Sequence, residues 1–245
     1  MRNEYDNEAF FSQYAQMPRS QDGLAAAGEW HQLRPLFPPL AGKRMLDLGC
    51  GYGWHARYAL AQGAAQVDGV DASEAMLAQA RRMGEDARLR YLCCPMEDFP
   101  YPPESYDLVL SNLALHYVAD LEAVFRGVHC TLRPGGVFCL NIEHPTFTAG
   151  VNQSWLEDEA GRRLCWPVDR YFEPGPRETD FLGHRVVKQH HTLTQILMGL
   201  LNSGFCLEAV EEAQPPEEMR HLPGMLDELR RPMMLLVRAK KEAAK

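Results

Sequence analysis

Two carboxylates and a run of glycines stand where the chain could bind a nucleoside. Asp47 lies in a short apolar segment that is typical of a buried parallel strand. The turn after it contains Gly49, Gly51 and Gly53, and a second predicted strand ends at Asp71. Glycines let the backbone turn sharply and approach a ligand, and carboxylates accept hydrogen bonds from ribose hydroxyls or an amine. The spacing predicts a nucleoside-binding crevice.

The same turn lacks the features of a phosphate site. Trp54 stands where a dinucleotide fingerprint needs its third glycine, and no Gly-Lys-Ser/Thr follows the glycines. No lysine or arginine lies between Met45 and Trp54 to meet phosphate charge. A ligand with a zwitterionic amino-acid end, a cationic centre and a ribose suits Asp47, the free N–H groups of the next helix and Asp71 better.

Each carboxylate also has a purely structural alternative. Asp47 could accept N–H groups of the glycine turn, and Asp71 could cap the following helix. Ser73 is the better N-cap for that helix, which would leave Asp71 free for a ligand.

The segment from Asp47 to Gly53 resembles the first motif of class I S-adenosylmethionine-dependent methyltransferases, Asp/Glu-x-Gly-x-Gly-x-Gly. Three further segments of residues 42 to 145 resemble later motifs of that family in the same order. They are residues 66 to 73, residues 106 to 116 and the turn at residues 132 to 136. The second of these is similar to the branch that includes ubiquinone and menaquinone biosynthesis methyltransferases, a type 11-like domain.

The resemblance implies a Rossmann-like α/β fold, with a doubly wound, mostly parallel seven-stranded sheet whose last strand is antiparallel. It also implies S-adenosylmethionine as cofactor and S-adenosylhomocysteine as product, with Asp71 on the ribose hydroxyls. The cofactor-binding residues expected on this basis are Tyr14, Asp47, Gly49, Cys50, Gly51, Gly53, Asp71, Ala72, Met76, Met96, Glu97, Ser111 and Leu113.

Two of these expectations have particular reasons. Many relatives carry an acidic residue near adenine, where Pro95 stands here, so the backbone of Met96 together with Glu97 is expected to replace it. Tyr14 is expected to cover the methionine end of the cofactor, because an N-terminal helical segment folds over it in similar enzymes. The alternative for Tyr14 is a helix that only packs its aromatic rings on the sheet.

A general base is needed only if the methyl acceptor is a hydroxyl or an acidic carbon. His144 is the first candidate because it directly follows the predicted fifth strand, at the edge where open α/β sheets bind ligands. His116 could instead brace a loop, and His190 and His191 could cap a helix or pair with acids. No His, Asp or Glu set has the spacing of a metal site.

Alternating strands and helices predict the elements of the sheet. Helices are expected at residues 54 to 62, 74 to 83, 121 to 132 and 194 to 201. Strands beyond the two already named are expected at residues 89 to 92, 106 to 112, 137 to 142, 205 to 210 and 233 to 237.

The whole chain, residues 1 to 245, is predicted to form one domain. It comprises an N-terminal helical cap (1 to 40), a cofactor-binding core (42 to 145), an insertion after the fifth strand (146 to 190) and a C-terminal helix with edge strands (191 to 245). The insertion carries scattered aromatic residues without periodicity and is predicted to be irregular. It could cover the substrate, or its rings could form a small core of their own.

Composition limits the partners. The formal net charge of −8 and the lack of a basic stripe argue against nucleic acid. Seven cysteines without paired spacing indicate reduced thiols, and no apolar stretch approaches a membrane span or a signal region. We expect a cytoplasmic monomer or homodimer.

The sequence therefore predicts an S-adenosylmethionine-dependent methyltransferase that acts on an oxygen or nitrogen of a small molecule. One alternative is an inactive protein that binds the cofactor as a sensor or partner subunit. Another is an RNA methyltransferase, which the acidic charge and the absence of an Asn/Asp-Pro-Pro-Tyr motif disfavour.

Overall fold

A seven-stranded sheet forms the centre of the computed structural model, which describes residues 4 to 243. The strands in chain order are β1 (Arg44–Leu48), β2 (Gln66–Asp71), β3 (Leu89–Cys93), β4 (Tyr106–Asn112), β5 (Leu132–Glu143), β6 (Leu156–Glu157), β7 (Arg163–Cys165), β8 (Gly175–Phe181), β9 (His184–His190), β10 (Phe205–Glu212) and β11 (Met234–Lys241). The sheet order is β10-β11-β5-β4-β1-β2-β3, and β11 runs antiparallel to both of its neighbours. The predicted fold class is confirmed.

Helices cover both faces of this sheet. They are α1 (Glu8–Tyr14), α2 (Pro18–Asp22), α3 (Trp30–Leu33), α4 (Trp54–Ala61), α5 (Glu74–Arg82), α6 (Leu121–Thr131), α7 (Pro145–Thr148), α8 (Leu193–Asn202) and α9 (Met225–Glu228). Leu46 of β1 packs into a core that includes the apolar sides of α6 and α8, whereas Met45 packs into a second core with α3 and α4. This two-sided burial explains why β1 is a continuous apolar run.

The predicted helices and strands of the core are confirmed to within a few residues. Ser73 caps α5 by accepting the N–H of Met76 at 3.1 Å, as expected. Thr192 forms a capping box with Gln195, so α8 begins at Leu193. β5 begins five residues earlier than predicted because Leu132 already pairs with Tyr106 of β4, and it ends one residue later because Glu143 pairs with Met234 of β11.

The prediction of an irregular insertion is wrong. Residues 146 to 190 contain two antiparallel hairpins, β6 with β7 and β8 with β9. Alternate residues of β9 are buried, and they include Val186, Lys188 and His190. A period of two identifies a strand, but here two of the inward side chains are polar. A search for alternating apolar residues therefore misses it.

The first part of the segment before the sheet, residues 4 to 14, packs across the carboxyl edge of the strands, whereas α3 and the residues after it pack on one face of the sheet. A short 3-10 turn at Glu4–Asp6 leads into α1. The Asp6 carboxylate accepts hydrogen bonds from the Ser73 hydroxyl at 2.7 Å and from the Ala75 N–H at 3.2 Å, at the start of α5. Within residues 4 to 243, no helix is long and apolar enough to cross a membrane.

Candidate functional site

The glycine loop, residues 49 to 53, joins β1 to α4 at the carboxyl edge of the sheet. Its three glycines all have positive φ, which an L side chain rarely adopts. A Cβ at Gly49 would lie 2.2 Å from the Cβ of Ala114, so this position requires glycine for packing as well. A Cβ at Gly51 would meet nothing within 4 Å, and Gly51 therefore faces open space at the crevice.

Asp47 is fully enclosed beside this loop. Its side chain is buried, and neither carboxylate oxygen has a hydrogen-bond partner among the described residues. Burial, with the nearby charge of Asp71, raises the pKa of Asp47 to about 7, although the Ala56 N–H and Arg57 oppose the rise. A buried carboxylate without a partner is costly, so this oxygen pair is a strong candidate for a ligand contact.

Asp71 has the structural role that could have belonged to Asp47. One of its oxygens accepts the Gly51 N–H at 2.8 Å, and the other accepts the Ser73 N–H at 2.9 Å. Burial raises the pKa of Asp71, and these two backbone donors oppose that rise. Each carboxylate oxygen has a second lone pair, so Asp71 can still receive ribose hydroxyls while it fixes the loop.

Four further predicted cofactor residues follow β2 or β3, and Met96 and Glu97 are the two expected near adenine. Met76 and Met96 are buried, and Ala72 and Glu97 are exposed. The carbonyl of Met96 accepts the Tyr101 hydroxyl at 2.8 Å. The exposed Glu97 carboxylate can therefore reach a ligand only from the rim of the crevice.

Three other predicted residues lie beneath the crevice. The Ser111 hydroxyl donates to the Leu48 carbonyl at 3.0 Å and joins β4 to β1. Leu113 has a φ of 54°, and its N–H donates to the Asn141 carbonyl at 2.8 Å. Burial raises the pKa of the Cys50 thiol well above its usual value, which keeps the thiol neutral.

Tyr14 lies between the N-terminal segment and the glycine loop. Its ring meets Tyr52 of the loop edge-on at 5.7 Å, and it meets Tyr5 edge-on at 5.5 Å. Both of the predicted alternatives are consistent with this position, because the ring packs on its neighbours and also covers the loop.

His144 has contacts away from the glycine loop. Its Nδ1 accepts the Thr146 N–H at 3.0 Å and so caps α7. Its Nε2 lies 3.1 Å from Glu212 Oε1 of β10, out of line for a hydrogen bond. Burial lowers the pKa of His144, and Glu212 opposes that effect.

The other histidines have roles that their sequence positions did not indicate. His190 contacts the Thr148 hydroxyl at 2.7 Å and the Tyr171 carbonyl at 2.8 Å. His191 contacts the Val118 carbonyl at 2.8 Å. Neither caps α8, because Thr192 does so. Among residues 4 to 243, no group of three or more His, Cys, Asp or Glu side chains could hold a metal ion.

Sequence reasoning missed two ion pairs, one fully buried and one between a half-buried arginine and a buried glutamate. Lys188 of β9 donates to Glu143 of β5 at 2.5 Å, and both side chains are buried. Arg19 donates to both oxygens of Glu29 at 2.6 Å. Burial alone would raise the pKa of Glu29, but Arg19 outweighs it and holds that pKa low. The alternation in β9 was the only signal for the first pair, and no sequence signal indicated the second.

Comparison with known families matches residues 46 to 140 to a methyltransferase domain. The structure of a proposed S-adenosylmethionine-dependent methyltransferase from Listeria monocytogenes is 46% identical, with a TM-score of 0.85, and the match covers 90% of this chain and 99% of that one. The structure of an S-adenosylmethionine-dependent methyltransferase from Mesorhizobium loti is 45% identical, with a TM-score of 0.82, over 89% of this chain and 100% of that one.

A curated relative matches a smaller part of this chain than these two structures do. The malonyl-[acyl-carrier protein] O-methyltransferase of Halorhodospira halophila is 34% identical over 187 residues, which is 75% of this chain. The chain spans 57% of the length of that relative.

Proposed function

The chain belongs to the S-adenosylmethionine-dependent methyltransferases, with S-adenosylmethionine as its cofactor, and from this premise we propose that it methylates an oxygen or nitrogen of a small molecule. The cofactor supplies an activated methyl group on a sulfonium, which departs from sulfur as the acceptor forms its bond to carbon. The chain's own residues must then bind both molecules, align them and exclude water.

The observation that carries the proposal is the unpartnered pair of Asp47 oxygens beside the glycine loop. A buried carboxylate of this kind suits a ligand that brings its own cationic or hydrogen-bonding group. Phosphate would be repelled there, because Asp47 and Asp71 are both acidic and lie close enough to shift the pKa of Asp47. The charge of this site therefore supports an amino-acid end rather than a pyrophosphate.

The remaining cofactor contacts follow from the positions of the predicted residues. We assign the ribose hydroxyls to Asp71 and the adenine to Met96 with Glu97. The open space above Gly51 would let the ligand approach the backbone closely. Tyr14 would cover the methionine end from the N-terminal segment, where its ring already meets Tyr52.

The acceptor would lie under the insertion. The β8–β9 hairpin packs over the 3-10 turn Leu115–Tyr117 that follows β4 and beside α7 after β5. This arrangement places the hairpin at the carboxyl ends of β4 and β5, which supports a small-molecule acceptor over a large one.

Calorimetry with S-adenosylhomocysteine and with NAD tests the cofactor site. We expect the adenosyl compound to bind and NAD not to bind. Asp71→Ala should weaken S-adenosylhomocysteine about ten- to hundredfold, since it removes charge-assisted hydrogen bonds worth roughly 1.5 to 3 kcal/mol. Asp86→Ala is the matched control, because that carboxylate pairs locally with the exposed Arg88. Binding of NAD alone, or equal affinity in both variants, would contradict the proposal.

A further inference from the structure

A buried polar centre lies at the ends of β4 and β5, apart from the glycine loop. It consists of Glu143, Lys188 and His116, each less than a tenth exposed. Lys188 Nζ lies 2.5 Å from Glu143 Oε1, and His116 Nε2 lies 3.9 Å from that same oxygen. The three residues come from β5, from β9 of the insertion and from the turn after β4, so only the folded chain brings them together.

Two atoms of the polar centre have no hydrogen-bond partner among residues 4 to 243. They are Glu143 Oε2 and His116 Nδ1. A buried polar atom without a partner destabilises the folded protein, and more so if it is charged. Proteins retain such atoms where a ligand or an ordered water supplies the missing partner, or where they serve catalysis.

A line of ring contacts connects the polar centre to the glycine loop. Tyr52 of the loop meets Tyr14, and Tyr14 meets Tyr5. The Tyr5 hydroxyl is 2.9 Å from the Tyr117 hydroxyl, and the Tyr117 ring lies 4.5 Å from the His116 ring. A continuous series of aromatic contacts therefore links the proposed cofactor site to the polar centre.

Charge and hydrogen-bonding capacity select the kind of ligand. Glu143 and Lys188 neutralise one another, so the polar centre has no net positive charge to attract an anion. Burial lowers the pKa of His116 to about 4, although Glu143 opposes this, so the ring is neutral near pH 7. If Nε2 carries the proton toward Glu143, the two free atoms are both acceptors, and both require a donor.

Two aromatic rings lie near the ammonium group of Lys188. Lys188 Nζ lies 5.3 Å from the centre of the Phe181 ring and 5.8 Å from that of Phe147. A ligand that reaches Glu143 would meet these rings with the rest of its body, and an apolar body would gain most from that contact.

We propose that the polar centre binds the methyl acceptor through a hydroxyl or amine that donates to Glu143 Oε2, with an apolar, ring-sized body held against Phe147 and Phe181. This inference rests on the proposed function. It assigns a donor-bearing acceptor to the enzyme, rather than a carboxylate.

The same contact accounts for the proton. As the acceptor oxygen or nitrogen forms its bond to the methyl carbon, its bond to hydrogen breaks and that electron pair stays on the acceptor. The proton passes to Glu143 Oε2, and the carbon–sulfur bond electrons stay on sulfur. Lys188 remains paired with Glu143 Oε1 and orients the carboxyl group, so Lys188 is a positioning residue.

Ligand-observed NMR titrations with phenol, benzylamine and benzoate test the inference, each with and without saturating S-adenosylhomocysteine. We expect phenol and benzylamine to bind and benzoate to bind at least about tenfold more weakly. Glu143→Gln should weaken phenol about tenfold without changing S-adenosylhomocysteine affinity. Glu178→Gln, on the exposed side of the same hairpin, is the matched control and should leave both unchanged.

Glu143→Gln leaves Lys188 buried without a counter-ion and could unfold the protein. The double variant Glu143→Gln/Lys188→Met keeps the charge balanced, and it should retain S-adenosylhomocysteine binding while losing phenol. Equal binding of benzoate and phenol, undiminished phenol binding by the folded variants, or no binding of phenol or benzylamine would overturn the inference. Failure of S-adenosylhomocysteine to bind the parent protein would overturn the proposed function instead, and the titrations without it would still report on the polar centre.

Discussion

Asp47 and Asp71 have the same residue type but different hydrogen-bonding roles at the crevice. Asp71 accepts two backbone N–H groups and fixes the glycine loop to β2. No donor of the described residues makes a hydrogen bond to the Asp47 carboxylate, although Asp47 stands two positions before the same loop. Asp71, which accepts the two backbone N–H groups, is thus a structural residue as well as the proposed ribose ligand. Asp47 is the residue whose carboxylate has no hydrogen-bond partner among the described residues.

The first prediction concerns the stability of the cofactor-free protein at different pH. The pKa of Asp47 is about 7 in the folded chain and near 3.8 in the unfolded one. At a pH between these two pKa values, the folded state holds a proton that the unfolded state has lost. The free energy of unfolding therefore falls as the pH rises from about 4 to 7. The loss is up to about 4 kcal/mol, at ~1.4 kcal/mol per pKa unit.

Urea unfolding at pH 5 and pH 8 checks this prediction. The parent protein should lose more stability over that interval than Asp47→Asn, which has no proton to release. Asp98→Asn changes an exposed carboxyl and should behave like the parent. The same pH dependence in Asp47→Asn and the parent would mean that Asp47 titrates normally.

At the scale of elements, the insertion and the N-terminal segment form one cover. Phe10 of α1 is fully buried and packs 5.9 Å from Phe181 of β8 and 5.5 Å from His184 of β9. His184 also contacts the Glu4 carboxylate at 3.1 Å. Because the two segments share these contacts, movement of one should release the other.

The second prediction follows from this packing. Phe181→Ala should speed hydrogen exchange of the α1 amides about fivefold, since the ring contact is worth roughly 1 kcal/mol. Phe172→Ala removes a ring of the same insertion that is 87% exposed, and it should leave α1 unchanged. Adding S-adenosylhomocysteine should slow exchange in residues 4 to 20 and 146 to 190. Unchanged exchange of α1 in Phe181→Ala would show that the segments open independently.

At the scale of the whole molecule, charge decides which partners can approach. Thirty-three acidic side chains outnumber 25 lysines and arginines, which gives the formal net charge of −8. Nucleic-acid binding depends on cationic side chains that release counterions from phosphates. The acidic charge therefore supports the proposed small acceptor over RNA.

The third prediction tests this preference directly. Fluorescence anisotropy with labelled bulk tRNA, in the presence of S-adenosylhomocysteine, should show no binding below about 10⁻⁵ M at physiological salt. A tighter complex whose affinity falls steeply with added salt would instead favour the RNA methyltransferase alternative. The parent protein is sufficient for this measurement.

The sequence by itself determined the fold class and the cofactor crevice. Local signals carry both: a buried strand is a short apolar run, a sharp turn needs glycine at positive φ, and a cap such as Ser73 stands directly before its helix. All of these interactions lie within a few residues of one another, so their spacing is visible in the chain. The family resemblance covers the same residues.

Only the tertiary structure brings together the residues of the proposed acceptor site. Glu143 meets Lys188 across 45 positions and His116 across 27, and Arg19 meets Glu29 through a turn that no motif marks. The role of His144 as a general base stays a prediction, and only the fold shows that its ring contacts Thr146 and Glu212. Contacts between distant residues depend on how hairpins and loops pack, and burial then sets which charges remain paired. Neither the packing of distant segments nor the burial of a charged side chain can be read from the spacing of residue types.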